Sequence, residues 1–132
     1  MTVLVTGGAG YIGSHTVRAL VAQGRDVVVL DSLELGHKSR VGNVPFVEGN
    51  ITDAKIIDKV CRKFEVSEVI HFAAYKAVGE SMEQPLRYYN NNVAGTIALV
   101  RALMANGVEK IVFSSSAAVY GNPDHVPVTE DA

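Results

Sequence analysis

What the chain lacks narrows its chemistry first. It has one cysteine, Cys61, so no disulfide forms within it. A lone thiol on a helical pattern fits a reducing compartment, and a cytoplasmic location is the expectation. There is no excess of positive charge: 12 Lys and Arg stand against 14 Asp and Glu, for a net charge of −2. The basic residues are scattered, so nothing invites nucleic acid or an anionic membrane surface. The apolar runs are strand-length, far short of a membrane span. No charged leader precedes the first of them, so a signal peptide is not expected. No Cys/His cluster has zinc spacing. His15 and His71 are expected to pack or to make local hydrogen bonds, and no metal site is expected.

What is present is a core and a rhythm. The 132 residues are 48% apolar, enough for one domain spanning residues 1–132. Five strand-like runs stand out, at residues 2–6, 26–30, 45–48, 68–72 and 110–115. Several are nearly continuous in Val, Ile and Leu, which marks strands covered on both faces. Helical patterns separate most of them. One runs from 11 to 23, with Gly24 as its stop. A second begins at Thr52 or Asp53, both good caps, and carries Ile56, Ile57, Val60 and Phe64. The third and longest spans about 85–105 and ends at Asn106-Gly107. In it Val93, Ile97, Val100 and Met104 make one clean apolar face. Leu99 and Leu103 lie off that face, so a second covered side is also expected. This alternation predicts an α/β fold with right-handed crossovers and strand order 3-2-1-4-5. Residues 121–132 read as loop.

The chemistry gathers where runs end. Thr6-Gly7-Gly8-Ala9-Gly10-Tyr11-Ile12-Gly13 follows the first strand and opens the first helix. Gly7, Gly10 and Gly13 have the spacing that permits a tight turn, a close backbone approach to a pyrophosphate, and close helix–strand packing. The helix N-terminus adds unpaired N–H groups and a positive dipole end. Asp31 ends the second strand, 18 residues after Gly13. There it would accept from both hydroxyls of an adenosine ribose and repel a 2′-phosphate, favouring NAD over NADP. Lys38 and Arg40 lie in the next loop. Gly49-Asn50-Ile51 follows the third strand, where an adenine would lie. Asn50 offers both a donor and an acceptor to the base edge, and Ile51 a cover for its face. Phe72, Ala73 and Ala74 leave room for a cofactor to cross the strand tips, and Lys76 would meet its ribose or phosphates. Asn90-Asn91-Asn92 is unusual inside a helix, and at least one is expected to have a hydrogen-bonding task. Ser114-Ser115-Ser116 closes the fifth strand, facing the ligand crevice.

Four blocks give the chain a resemblance. They are residues 3–15; His71-Phe72-Ala73-Ala74 running into Lys76-Ala77-Val78-Gly79-Glu80-Ser81; Tyr88-Tyr89-Asn90-Asn91-Asn92-Val93 with Gly95-Thr96; and Phe113-Ser114-Ser115-Ser116-Ala117-Ala118-Val119-Tyr120-Gly121. Together they resemble the extended short-chain dehydrogenase/reductase family, in its branch that epimerises nucleotide sugars at C4. The resemblance implies a Rossmann-like doubly wound sheet, NAD as cofactor, and interconversion of UDP-galactose and UDP-glucose. It implies that Tyr11 and Ile12 contact NAD, that Asp31 holds the adenosine ribose, and that Asn50 and Ile51 hold the adenine. Phe72, Ala73, Ala74, Lys76 and Asn91 would line the cofactor, and Ser116 would hydrogen-bond the sugar 4-hydroxyl. It further implies a homodimer in which the long helix takes part. Two departures stand out. Asn50 is where such proteins often carry Asp. The catalytic Tyr-x-x-x-Lys pair is missing, since no tyrosine here has Lys four residues on. The chain is therefore expected to be the front portion of a longer enzyme, without the later strands and the substrate domain, and inactive alone. The alternatives are a non-catalytic NAD-binding module, or another enzyme of the family such as a dehydratase. Ala117-Ala118 stand where dehydratases place acids, which disfavours the latter.

Overall fold

The computed structural model describes residues 1–132, the side chain of Val78 excepted. Five parallel strands form one sheet: β1 (Thr2–Thr6), β2 (Asp26–Asp31), β3 (Phe46–Glu48), β4 (Val66–His71) and β5 (Lys110–Phe113). Their spatial order is β3-β2-β1-β4-β5, as the alternation predicts. Thr6 at the tip of β1 is level with Leu30 of β2 and His71 of β4, so the three strands end together.

The two faces of the sheet follow from the two-residue period of a strand. Leu4, Val28, Leu30 and Val69 point to one side and meet Ile57, Val60, Leu99 and Leu103. Val3, Val5, Val27 and Val29 point to the other and meet Val17. Each such side chain, fully buried, contributes roughly 1.5–3 kcal/mol. Helix α1 (Tyr11–Ala22) supplies Val17. Helices α2 (Ala54–Phe64) and α5 (Gly95–Ala105) cover the first side. Asp53 caps α2, its carboxylate accepting from the amides of Lys55 and Ile56 at 3.1 and 3.4 Å. Helix α1 is stopped by Gly24, whose φ of +75° suits a residue without a Cβ.

The long helical segment departs from its pattern in three ways. A separate short helix, α3 (Val78–Glu83), precedes it. It then runs as α4 (Pro85–Tyr88), one π-helical turn (Tyr89–Ala94), and α5. Third, the face that packs on the sheet is Leu99, Ala102 and Leu103. The cleaner stripe of Val93, Ile97, Val100 and Met104 is turned outward, 37–73% exposed. Apolar spacing identifies a face; which face meets a sheet is decided by where the strands enter and leave. Strand β5 is the edge of the sheet, and all four of its residues are exposed.

Candidate functional site

The tips of β1, β2 and β4 open onto one cleft with two compartments. The first, about 260 Å³, lies between the loops after β1, β2, β3 and β4. The second, about 490 Å³, lies between the glycine turn and the serines after β5. Gly7, Gly10, Tyr11, Phe72, Ala74 and Lys76 line both. Asp31, Asn50, Ile51, Ala73 and Asn91 line the first. Ile12, Gly13 and Ser116 line the second. Every candidate residue of the sequence thus borders the same cleft.

The glycine turn is tight because at Gly7 and Gly13 nothing but glycine fits. A Cβ on Gly13 would lie 2.2 Å from the carbonyl oxygen of Gly7, and one on Gly7 would lie 2.8 Å from the amide of Ala73. Gly7 also has φ +74°, a conformation L side chains rarely adopt. Helix α1 then begins at Gly10 without a side-chain cap and without an acid in its first turn. Its first amides have no carbonyl one turn back and border the cleft, a donor set suited to phosphate oxygens. A diphosphate bridge therefore fits the residues present.

Asp31 is 9% exposed. One carboxylate oxygen accepts from the amide of Ala9 at 3.0 Å and the other from Leu33 at 2.8 Å. Each oxygen keeps a further acceptor site, so the side chain is oriented before any ligand arrives. The chain after it packs on the glycine turn. The amide of His37 donates to the carbonyl of Ala9 at 3.0 Å, and a Cβ on Gly36 would meet that same oxygen at 2.8 Å. Asn50 corrects an expectation. Its carbonyl oxygen accepts from both the amide and the hydroxyl of Thr52, each at 3.0 Å. The side chain therefore offers the cleft donors only, not a donor and an acceptor. Ile51 is 3% exposed and belongs to the core beneath α5, which limits the surface it presents to a base.

A hydrogen-bond relay stiffens the far wall. The Thr6 hydroxyl oxygen accepts from the amides of Phe72 and Ala73 at 3.2 and 3.4 Å. Its proton is thereby directed to Nδ1 of His71, 2.5 Å away. The His71 proton then sits on Nε2, facing the Thr96 hydroxyl at 3.4 Å, and Thr96 donates to the carbonyl of Asn92 at 2.5 Å. Burial drives the His71 pKa down to about 4, so the ring is neutral near pH 7. The Asn92 side chain holds Tyr75 at both its amide and its carbonyl, at 2.9 and 2.8 Å, and its oxygen accepts from Asn91 at 3.0 Å. This is the task expected of the Asn triplet. Asn92 lies on the π-helical turn, a distortion frequent at functional sites.

Other residues of the cleft are not legible as such in the sequence. Glu34, Leu35 and Tyr75 line the first compartment. Arg87 pairs with both Glu34 and Glu80, and its guanidinium lies 4.5 Å from the centre of the Tyr75 ring. Only the folded chain brings positions so far apart together. Ser116 is exposed, and its oxygen accepts from the amide of Ala118 at 3.1 Å, leaving its proton available to a ligand. Among the described residues no group of three or more His, Cys, Asp or Glu is placed to hold a metal ion, and no helix is long and apolar enough to cross a membrane. Burial, and then the charge of Asp58, raises the Cys61 thiol to about 11, so it is a packing group.

Comparison with known proteins places this geometry. The model of the NAD dependent epimerase/dehydratase family matches residues 3–132. The UDP-glucose 4-epimerase of Halalkalibacterium halodurans is 50% identical over 130 residues, 98% of this chain and 39% of that protein. The crystal structure of UDP-glucose 4-epimerase from Brucella ovis in complex with NAD is similar with a TM-score of 0.92 and 47% identity, over 98% of this chain and 40% of that one. The enzyme from Stenotrophomonas maltophila, with bound NAD and formylated UDP-arabinopyranose, gives 0.91 and 46%, over 100% and 42%. The chain spans about 40% of the length of the curated relatives it matches.

Proposed function

The chain belongs to the NAD dependent epimerase/dehydratase family, and on that footing we propose that its cleft holds NAD as the coenzyme-binding part of a UDP-glucose 4-epimerase. The observation that carries this reading is the meeting of a glycine turn closed to a Cβ at Gly7 and Gly13 with an acid already oriented at the next strand tip. The first-turn amides of α1 hold the diphosphate. Asp31 accepts from the adenosine ribose hydroxyls through its remaining acceptor sites. Asn50 and Ile51 border the adenine, and Phe72, Ala73, Ala74, Lys76 and Asn91 line the cofactor. NAD, when bound, supplies the reversible oxidation at C4 that lets a sugar hydroxyl change hand.

Ser116 would donate to, or accept from, that 4-hydroxyl and fix its orientation. The 132 residues contain no Tyr-x-x-x-Lys, so no phenolate–ammonium pair within them takes the hydroxyl proton. Loss of such a group lowers a rate by roughly 10²–10⁴-fold, and these residues alone are expected not to epimerise UDP-galactose. The outward stripe of Val93, Ile97, Val100 and Met104 supports self-association, as a homodimer, and a buried lone thiol suits the cytoplasm.

Titration calorimetry tests the reading directly. NAD⁺ is expected to saturate the chain and NADP⁺ to bind at least about tenfold more weakly, because Asp31 disfavours a 2′-phosphate. Absence of saturation by NAD⁺ at millimolar concentration sinks it.

A further inference from the structure

We propose that Asn50 sets the base preference of the coenzyme site by donating only, so that a purine carrying a carbonyl at C6 is accepted at least as well as adenine. The inference rests on the NAD reading of the cleft and adds the base edge it selects.

The orientation of the Asn50 amide is fixed by chemistry. Its oxygen lies 3.0 Å from the backbone amide of Thr52. A backbone N–H only donates, so turning the side chain over would set two donors face to face. The Thr52 hydroxyl, also 3.0 Å away, takes the second lone pair. What remains for a ligand is Nδ2 with its two N–H groups, which has no hydrogen-bond partner among the described residues. Asn50 borders the cavity beside Gly49 and Ile51, directly after β3.

An asparagine that reads adenine in the usual two-point manner accepts from the 6-amino group and donates to the neighbouring ring nitrogen. Here the acceptor is taken. The 6-amino group of adenine finds no acceptor on this side chain, and a donor set against it repels. Hypoxanthine has an oxygen at that position, which Nδ2 satisfies without any rearrangement. Adenine still binds by receiving one hydrogen bond at a ring nitrogen, so NAD remains a ligand; it loses its usual advantage over the hypoxanthine form.

The measurement is calorimetric titration of the chain with NAD⁺ and with nicotinamide hypoxanthine dinucleotide, read as the ratio of the two dissociation constants. For the unaltered chain the hypoxanthine form is expected to bind no more weakly than NAD⁺. In Asn50→Asp one oxygen keeps Thr52 and the other accepts from the 6-amino group, so the ratio is expected to swing toward NAD⁺ by about tenfold. Tighter binding of NAD⁺ by the unaltered chain overturns the inference and leaves the NAD reading standing. Binding of neither dinucleotide overturns both. The unaltered ratio decides without the variant, so a poorly folding Asn50→Asp does not rescue the idea.

Discussion

Arg87 of α4 forms an ion pair with Glu34, the third residue after β2 ends at Asp31, and so ties the β2 side of the cleft to the β4 side. The Tyr75 hydroxyl donates to the same carboxylate, and Glu80 takes the other arm of the guanidinium. Glu34 and Tyr75 both line the compartment that also holds Asp31. These contacts at the rim of the compartment are expected to slow the departure of a ligand seated there.

Arg87→Ala is therefore expected to speed NAD release by about two- to tenfold, since ion pairs this open to solvent are individually weak. Melting temperature should hardly move. Added salt should hasten release from the unaltered chain and have little effect on the variant, because screening acts on the pair that the variant has lost. Stopped-flow displacement of bound NADH measures both. Equal release rates at low salt would show that the clasp does not guard the exit.

Glycines of the cleft and of the helix stop separate by what surrounds them. A Cβ on Gly13 meets the Gly7 carbonyl at 2.2 Å, backbone that cannot yield without opening the turn. At Gly24 the added atom meets nothing within 4 Å, and only the φ of +75° resists it. Gly13→Ala should abolish NAD binding in chain that still shows α/β circular dichroism. Gly24→Ala should cost about 1 kcal/mol of stability and leave NAD affinity unchanged. Retained affinity in Gly13→Ala would remove the diphosphate from the turn.

His71 makes stability depend on pH in a defined window. Its pKa falls from 6.5 to about 4 on folding because the ring is buried. Between those values the unfolded chain binds a proton that the native chain refuses, so unfolding is favoured as pH drops. The contribution is intact above about pH 6.5 and lost progressively toward pH 4, where the native ring also charges. The full span is about 3 kcal/mol at most. Carboxylates titrate nearby, so the comparison is with His71→Gln: denaturant unfolding at pH 7 and pH 4.5 should show a smaller loss for the variant. Parallel losses would mean that another group carries the effect.

How far the sequence goes is clearest at particular residues. Strands β1 and β2 are legible because both their faces are covered, which leaves runs of Val and Leu, whereas Ser67 and Glu68 interrupt β4 and hide its start at Val66. The turn from Thr6 to Gly13 is legible because glycine spacing and its position between strand and helix agree. Helix α3 is not, because six residues give too little period to read. The π-helical turn is not, because a bulge leaves the residue pattern helical; nor are the bonds that Asn92 in that turn makes to Tyr75. Asn50 is legible as a polar group directly after β3, yet its donor-only character depends on Thr52 folding back onto it. The Glu34–Arg87 pair joins positions 34 and 87, and no local pattern encodes such a pair.

The outward turn of the cleaner helical stripe leads to the last expectation. Leu99 is fully buried against the sheet, whereas Ile97, two residues earlier, is 53% exposed. Stability within one chain therefore rests on Leu99, and Leu99→Ala should lower it by about 2–5 kcal/mol through the cavity it leaves. Ile97→Lys removes no contact with the sheet, so the unfolding midpoint at low protein concentration should stay within about 0.5 kcal/mol of the original. It does place a charge in the middle of Val93, Val100 and Met104, the stripe that supports self-association. Light scattering over a concentration series should then find two chains for the unaltered protein and one for Ile97→Lys. If both scatter as one chain, the stripe has another partner; if both scatter as two, the copies meet elsewhere, and edge strand β5 becomes the surface to alter.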